Sequence, residues 1–155
     1  MIMNRLYMLV GVPASGKTTW ANNQSFTKDC VIISTDQYVE EYATQTGKTY
    51  TEAFQEYMPI AVDRMTDAVI EAREAGRNII WDQTSTSIGT RAKKFRMLPN
   101  YYAIAVVFPI PERQELERRL ASRPGKIVPI DVVDRMIGNW EEPTLEEGFM
   151  EIWKV

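Results

Sequence analysis

The eight residues GVPASGKT, at positions 11–18, stand at the carboxyl end of the apolar run RLYMLVG at 5–11. They match the spacing GxxxxGK[ST], which carries meaning where a strand precedes it and a helix follows. Glycines allow the backbone to turn tightly, so that successive N–H groups can face inward and surround an anion. The sequence therefore predicts a strand, a phosphate-binding loop and a helix, in that order.

Apolar runs that alternate with helical stretches make up the rest of the chain. Further candidate strands are CVIIST at 30–35, NIIWD at 78–82 and YYAIAVVF at 101–108, and FMEIWKV at 149–155 is a candidate last strand. Strands that are apolar throughout and separated by helices indicate a parallel sheet with helices on both faces. We therefore expect one α/β domain spanning residues 1–155, with a sheet of about four to five parallel strands.

Helices are expected in the segments between these runs. Apolar residues recur at helical spacing over 53–75, and further helices are expected at 112–122 and 129–140. Pro59 should kink the first of these helices or begin a new one, because proline lacks the backbone N–H that an α-helix uses. Ligands of such sheets bind beyond the carboxyl ends of the strands. The chemistry should therefore lie just after residues 10, 35, 81 and 108.

Composition limits the chemistry that is available. There is no histidine among the 155 residues, so acid–base catalysis must use carboxylates, lysine, tyrosine or water, and histidine-rich metal sites are excluded. The single cysteine, Cys30, cannot form an internal disulfide, which is typical of a reducing, cytoplasmic setting. No apolar run approaches the roughly 20 residues that cross a bilayer, so no membrane association is expected.

Charge gives a weaker indication of partners. The formal net charge is −3, so nucleic-acid binding would need a local basic face. Two stretches could form one: RAKKFR at 91–96 and the arginines between Arg113 and Lys126. The alternative is that both stretches are solvated helix faces.

The glycine loop predicts a site for a nucleoside triphosphate. Lys17 would reach the β- and γ-phosphates as a fixed charge, and the Thr18 hydroxyl would bind a Mg²⁺ ion that bridges them. The sequence contains no NKxD tetrapeptide, the guanine-reading motif of GTP-specific proteins, which favours ATP. The residues expected to contact the nucleotide are Gly11, Pro13, Ala14, Ser15, Gly16, Lys17, Thr18 and Thr19.

Two aspartates follow predicted strands and are candidate site residues. Asp36, in STDQY, should lie beside the glycine loop, where a carboxylate could take the proton of an attacking hydroxyl. It could also, or instead, cap the helix that follows. Asp82, in NIIWDQT, resembles a Walker-B aspartate that holds Mg²⁺ directly or through water, with helix or turn capping as its alternative. Neither Asp82 nor Gln83 is a glutamate, which favours transfer to a substrate over ATP hydrolysis.

A third cluster of polar residues lies in RRLASRPGKIVP at 118–129. Arg119 and Arg123 are four positions apart and hence on one helical face, and the Arg-Pro-Gly sequence should end the helix and begin a mobile loop. Arginines on a lid that closes over a nucleotide would neutralise charge on the phosphoryl group in transit. The alternative is a basic helix at the surface.

These segments together resemble a known family. GVPASGKTTW, STDQY, IIWDQT and RLASRPGKIVPIDVVDRM, in that order, are similar to the kinase domain of phage polynucleotide 5′-hydroxyl kinases and their P-loop relatives. The resemblance runs from about residue 5 to residue 140. It implies a P-loop NTPase fold of the kinase type with an arginine-bearing lid, and it implies ATP and Mg²⁺ as cofactors.

The resemblance also implies roles for individual residues. Lys17 and Thr18 match the phosphate- and Mg²⁺-binding residues, and Asp82 matches the acidic residue after the third strand. Asp36 matches the general base that activates the acceptor hydroxyl. The lid arginines are matched by Arg119 and Arg123, the latter in contact with the transferred phosphate.

One departure concerns the acceptor. The polynucleotide kinases carry, three residues after the base, an arginine that binds the acceptor's phosphate, whereas this chain has Val39 in a segment without arginine. We expect an ATP-dependent kinase acting on a nucleic-acid hydroxyl, with a polynucleotide 5′-hydroxyl as the leading acceptor, in the host cytoplasm if the protein is phage-encoded. Alternatives are a hydroxymethylated base in phage DNA, such as 5-hydroxymethyluracil, a small molecule or nucleoside, and a nucleotide-dependent switch without an acceptor.

Overall fold

A computed structural model describes residues 3–123 and 125–155 of the chain. Five strands and six α-helices lie within these residues, and at two places two helices follow one another between strands. The strands are β1 (Arg5–Val10), β2 (Cys30–Ile33), β3 (Asn78–Trp81), β4 (Tyr102–Val107) and β5 (Glu151–Lys154). The helices are α1 (Lys17–Asn22), α2 (Asp36–Thr46), α3 (Tyr50–Glu74), α4 (Ile88–Met97), α5 (Arg113–Ala121) and α6 (Ile130–Gly138).

All five strands are parallel and form one sheet in the order β2-β3-β1-β4-β5. The central strand β1 pairs with β3 on one side and β4 on the other, so that Leu6 lies opposite both Ile79 and Ala103. The chain crosses from one side of β1 to the other between β3 and β4, which makes the carboxyl end of β1 the ligand-binding position typical of such sheets. The predicted α/β fold with a parallel sheet is confirmed.

Helices cover both faces of the sheet. Alternate residues of a strand point to opposite faces. Met8 lies in one apolar cluster with Val69 of α3, whereas Leu9 lies in the other cluster with Ala21 of α1. Because both faces are covered, β1 is buried from Leu6 to Val10, which explains its uninterrupted apolar sequence.

The helix α3 continues through Pro59 as one element of 25 residues, so the predicted alternative of a new helix at Pro59 is wrong. A capping box formed by Thr49 and Glu52 begins the helix. Buried apolar side chains on both sides of the proline, among them Ala53 and Val69, hold the two parts in one helix. This burial outweighs the roughly 3 kcal/mol that an interior proline costs a helix.

The segment predicted as a lid, 118–129, begins in α5 and ends just before α6. Pro124, within the predicted turn, lies outside the described residues. None of the helices in the described part of the chain has the length and apolar character needed to span a membrane.

Candidate active site

The loop between β1 and α1 has a backbone that only particular residues allow. A Cβ atom added at Gly11 would lie 2.5 Å from the Ser15 Oγ and 3.0 Å from the Phe108 Cβ, so the loop folds back on itself too closely for a side chain there. Gly16 has φ +99° and Ala14 has φ +64°, in the left-handed region that favours glycine. The predicted loop therefore closes tightly at the carboxyl end of the central strand.

Two polar side chains of this loop, those of Ser15 and Lys17, are buried and carry groups that could bind a ligand. The Ser15 hydroxyl is buried without a hydrogen-bond partner among the described residues. The Lys17 ammonium donates to the Val12 carbonyl at 2.7 Å, and burial lowers the pKa of Lys17 to about 8, although Asp82 opposes this shift. Buried polar groups of this kind are normally satisfied, so the loop fits an anion that would accept from both. The other predicted contacts, Pro13 and Thr19, lie in the same segment.

The Thr18 hydroxyl donates to the Asp82 carboxylate at 2.7 Å, which brings together the two predicted Mg²⁺ ligands. Burial raises the pKa of Asp82, while the bond from Thr18 and the charge of Lys17 oppose the rise. The next helix, α4, is capped by Ser87, so Asp82 does not serve as its cap. The pair fits Mg²⁺, which binds hard oxygen ligands from one or two side chains and completes its shell with phosphate oxygens and water. Across residues 3–123 and 125–155, no group of three or more acidic or cysteine side chains is placed to hold a metal without such help.

Asp36 is the first residue of α2 rather than its cap, since Thr35 occupies the cap position. Its Oδ1 accepts from the Tyr50 hydroxyl at 2.5 Å, and its Oδ2 accepts from the Lys126 ammonium at 3.1 Å. Burial opposes ionisation of this carboxyl, but the two donors outweigh burial and lower its pKa. Asp36 is therefore held as a carboxylate at the carboxyl end of β2. The alternative prediction, that Asp36 caps the helix that follows, is wrong, since Thr35 occupies the cap position.

Tyr50 and Lys126 were not identified from the sequence. The Lys126 ammonium lies 4.2 Å from the centre of the Tyr50 ring, and the lysine side chain is only 13% exposed. Burial raises the pKa of Tyr50, and the hydrogen bond that its hydroxyl donates to Asp36 raises this pKa further, so the hydroxyl stays a donor. Lys126 directly follows Arg-Pro-Gly in the sequence. A further cation in this predicted lid segment is the sequence feature that could have identified Lys126 as a site residue. Nothing local to Tyr50 indicates that it reaches Asp36.

The two predicted lid arginines have different surroundings. The Arg119 guanidinium donates to the Ala14 carbonyl at 3.1 Å and to Glu115 at 2.7 Å, so it is fixed against the glycine loop. Arg123 lines a cleft of about 260 Å³ together with Lys126, and its positive charge lowers the pKa values of Lys17 and Asp36. A second cleft of about 380 Å³ lies beside the loop and is lined by Ser15, Arg119, Pro109, Pro111, Glu112 and Glu115.

The four cations of the basic stretch at 91–96 divide into two groups, since Lys93 and Arg96 are exposed whereas Arg91 and Lys94 are buried. Arg91 is fully buried, forms an ion pair with Glu147 at 2.8 Å and donates to the Ser85 carbonyl. Lys94 is also buried and donates to the Ser85 hydroxyl at 2.8 Å. These two cations stabilise the loop that follows Asp82. They are not available to a nucleic acid, and they are not solvated.

Val39, the residue at the acceptor-arginine position of the resembled family, is also buried. It packs with Ala43 of α2 and with Ala53 and Ala61 of α3. A residue at this position is therefore part of the apolar contact between α2 and α3. In the second basic stretch, Arg113 and Arg118 are paired with acidic neighbours on the surface.

A family model described as an AAA domain matches residues 6–143 of the chain. A candidate kinase from Chloroflexus aurantiacus j-10-fl aligns over 99% of this chain and 88% of its own length, with 17% identity and a TM-score of 0.73. A chain of the Pnkp1/Rnl/Hen1 RNA repair complex aligns over 90% of this chain and 44% of its own, with 19% identity and a TM-score of 0.69. A gluconokinase from Sinorhizobium meliloti 1021 aligns over 100% of this chain and 83% of its own, with 15% identity and a TM-score of 0.58.

These structures share the fold while acting, by their descriptions, in different settings. The family match spans the glycine loop, both aspartates and the lid segment. The family match agrees with the tight loop geometry at Gly11 and Gly16. It also agrees with the position of Lys17, Asp36 and Asp82 at the same edge of the sheet. The chain therefore belongs to this family of AAA domains and has the P-loop kinase fold that the sequence predicted.

Proposed function

We propose that this protein is an ATP- and Mg²⁺-dependent kinase that transfers the γ-phosphate of ATP to a hydroxyl group. The observation that carries the proposal is the Asp36 carboxylate, held ionised by two donors within electrostatic reach of Lys17 in the phosphate-binding loop. A nucleotide-binding switch does not need a proton acceptor beside the phosphates. A phosphotransferase needs one to take the acceptor proton.

The roles of the remaining residues follow from phosphoryl-transfer chemistry. Gly11, Pro13, Ala14, Ser15, Gly16, Lys17, Thr18 and Thr19 form the segment proposed to bind the phosphates. Thr18 and Asp82 would hold the metal, which when bound neutralises the β- and γ-phosphate oxygens. Lys17, Arg119 and Arg123 would stabilise charge on the group in transit, because fixed cations in a site with little water act strongly on a transition state.

Asp36 is the proposed general base. As the acceptor oxygen attacks the γ-phosphorus, its proton passes to the Asp36 carboxylate, the new O–P bond forms, and the bond to the ADP oxygen breaks. Catalysis of this kind depends mainly on positioning and electrostatics. The low pKa of Asp36 keeps the base ionised at neutral pH.

The leading acceptor is a nucleic-acid hydroxyl, and in particular a polynucleotide 5′-hydroxyl. The resemblance of the motifs and the structural similarity to a chain of an RNA repair complex support this acceptor. A hydroxymethylated base in DNA shares the same acceptor chemistry.

A small-molecule hydroxyl is the second candidate, and one feature favours it. Val39 is buried instead of presenting a cation to an acceptor phosphate, and Glu40 and Glu41 follow it on α2. Carboxylates beside the base would repel a polyanionic backbone. The fold is also shared with a gluconokinase.

One experiment separates these acceptors. The purified protein is incubated with γ-labelled ATP, Mg²⁺ and, in turn, 5′-hydroxyl DNA, 5′-hydroxyl RNA, DNA containing hydroxymethyluracil, nucleosides and sugars. We expect label in a nucleic acid with the protein and none with Lys17→Ala. Label confined to a nucleoside or sugar would move the acceptor to the second candidate. No labelled acceptor together with normal ATP binding would contradict the kinase proposal.

A further inference from the structure

The loop between β3 and α4, residues 82–87, contacts the phosphate-binding segment at two points. At its start, the Asp82 carboxylate accepts from the Thr18 hydroxyl at 2.7 Å. Two residues later, the Thr84 carbonyl accepts from the backbone N–H of Gly11, the first residue of the glycine loop, at 2.9 Å. The conformation of residues 82–87 therefore sets where the candidate metal ligand lies relative to the glycine loop.

Ser85 holds this loop in a backbone conformation that serine rarely adopts. Its φ is +47°, in the left-handed region, where the Cβ atom of an L-residue is crowded by the backbone. Rotation about the Ser85 N–Cα bond turns the peptide plane that contains the Thr84 carbonyl. Relaxation of Ser85 would therefore move the carbonyl that accepts from Gly11. Strained residues of this kind persist only where their surroundings hold them.

Two buried cations hold Ser85. The Arg91 guanidinium donates to its carbonyl at 2.9 Å and is itself fixed by a bidentate ion pair with Glu147. The Lys94 ammonium donates to the Ser85 hydroxyl at 2.8 Å and lies 5.4 Å from the centre of the Trp81 ring.

The Lys94 ammonium lies in an unfavourable position. Its side chain is buried, and burial together with the like charge of Arg91 lowers the pKa of Lys94 to about 8. A buried charge of this kind costs stability unless its surroundings compensate it, and an apolar side chain of similar size is often tolerated as well or better. A contribution to stability therefore does not account for a lysine at this position.

We propose that Lys94 is a positioning residue that acts on the metal and phosphate site through the Ser85 hydroxyl. Its ammonium holds Ser85 in the strained conformation. That conformation keeps Asp82 beside Thr18 and keeps the Thr84 carbonyl on the glycine loop. The inference rests on the proposed function, in which Asp82 and Thr18 hold Mg²⁺.

The test is the binding of a non-hydrolysable ATP analogue, measured by calorimetry over a range of Mg²⁺ concentrations without any acceptor. Lys94→Met removes the charge and keeps the length of the side chain. We expect it to raise the Mg²⁺ concentration for half-maximal binding by roughly 10-fold, as loss of a residue that orients a metal ligand does. Lys93→Met is the matched control, because Lys93 is the neighbouring residue of α4 and is exposed. It should leave the Mg²⁺ requirement unchanged, and an unchanged requirement in Lys94→Met would overturn the proposal.

Two substitutions of Ser85 test the strain directly, whether or not Lys94→Met folds. Ser85→Ala keeps the strain but loses the hydroxyl that Lys94 holds, so it should need as much Mg²⁺ as Lys94→Met. Ser85→Gly adopts a φ of +47° without strain, so it should bind normally, and the double variant Lys94→Met/Ser85→Gly should bind normally too. Equal Mg²⁺ requirements in Ser85→Ala and Ser85→Gly would overturn the proposal, as would a double variant that binds as weakly as Lys94→Met.

The same titrations separate this inference from the proposed function. If the analogue binds the unchanged protein equally well without Mg²⁺, the proposed metal site is wrong and the role of Lys94 fails with it. A Mg²⁺ requirement that is present but equal in all the variants would contradict the role of Lys94 alone. Failure to label any acceptor, with these titrations as expected, would count against phosphotransfer and not against Lys94.

Discussion

The chain forms the same three-part arrangement in two places, and only one of them lies at the candidate active site. In each, a carboxylate accepts from a tyrosine hydroxyl and from a lysine whose ammonium lies over the ring of that tyrosine. The residues are Asp36, Tyr50 and Lys126 at the site, and Glu56, Tyr42 and Lys48 in the second cluster. Similar contacts thus occur in two different surroundings.

The surroundings differ in the burial of the lysine and in the position of the cluster relative to the sheet. The second cluster lies wholly within α2, α3 and their connection, and the side chains of Lys48 and Glu56 are 32% and 50% exposed. Water and salt screen such pairs, which contribute little. At the site, the lysine comes from a segment 90 residues away and is 13% exposed, while the Asp36 side chain is 46% exposed, close to the value for Glu56. Position at the carboxyl edge of the sheet, next to the phosphate-binding loop, is what distinguishes a candidate base from a surface ion pair.

The largest expected effect contrasts two lysines. Lys17→Ala should lower kcat by roughly 10³, to the edge of detection, because the γ-phosphate loses a fixed cation in a buried site. Lys48→Ala should leave kcat unchanged. The measurement is labelled transfer at saturating ATP, with circular dichroism to show that both variants fold. Near-normal turnover in Lys17→Ala would contradict the conclusion that the lysine of the loop, unlike Lys48 of the second cluster, acts in catalysis.

A smaller effect contrasts the two tyrosines. Tyr50→Phe removes the donor that holds the Asp36 carboxylate in position through Oδ1, so kcat should fall by roughly 10-fold because the base is less well oriented. Loss of the donor raises the pKa of Asp36, so the acidic limb of the kcat profile should move to higher pH. Tyr42→Phe should change neither quantity. A lower kcat in Tyr50→Phe with an unmoved acidic limb would mean that the hydroxyl does not act through the carboxylate.

The smallest effect is expected in the second cluster itself. Glu56→Gln should leave the urea midpoint of unfolding and its pH dependence between pH 4 and pH 7 nearly unchanged, because the pair is exposed to solvent. Equilibrium urea titrations at several pH values measure this. A clear loss of stability would show that the cluster supports the contact between α2 and α3, and it would then no longer serve as an inert reference.

The parts of the site that local sequence determines could be predicted. Gly11, Gly16 and Lys17 lie in one loop whose spacing follows from phosphate binding, and Asp36 and Asp82 directly follow apolar strands. Parallel strands end at one edge of the sheet, so their positions in the chain were sufficient to bring them together. The strands themselves were recognisable because both faces of the sheet are covered.

The remaining features depend on contacts between distant segments. Tyr50 reaches Asp36 across 14 residues and Lys126 across 90, and no local pattern indicates either distance. The stretch RAKKFR has the composition of a solvated helix, yet Arg91 is buried because Glu147, 56 residues further on, supplies a bidentate partner. Val39 likewise could be assigned to the contact between α2 and α3 only from the structure, which shows that these two helices pack against each other.

The account is tested most directly by one comparison of two carboxylates. The initial rate of phosphotransfer is measured for Asp36→Asn and Glu56→Gln beside the unchanged protein, on the acceptor that the panel identifies, together with the affinity for ATP. The account predicts a fall of roughly 10² or more in kcat for Asp36→Asn, the usual contribution of a general base, with ATP affinity retained. Glu56→Gln should transfer phosphate normally. Equal activity in the two variants would contradict the assignment of Asp36 as the base.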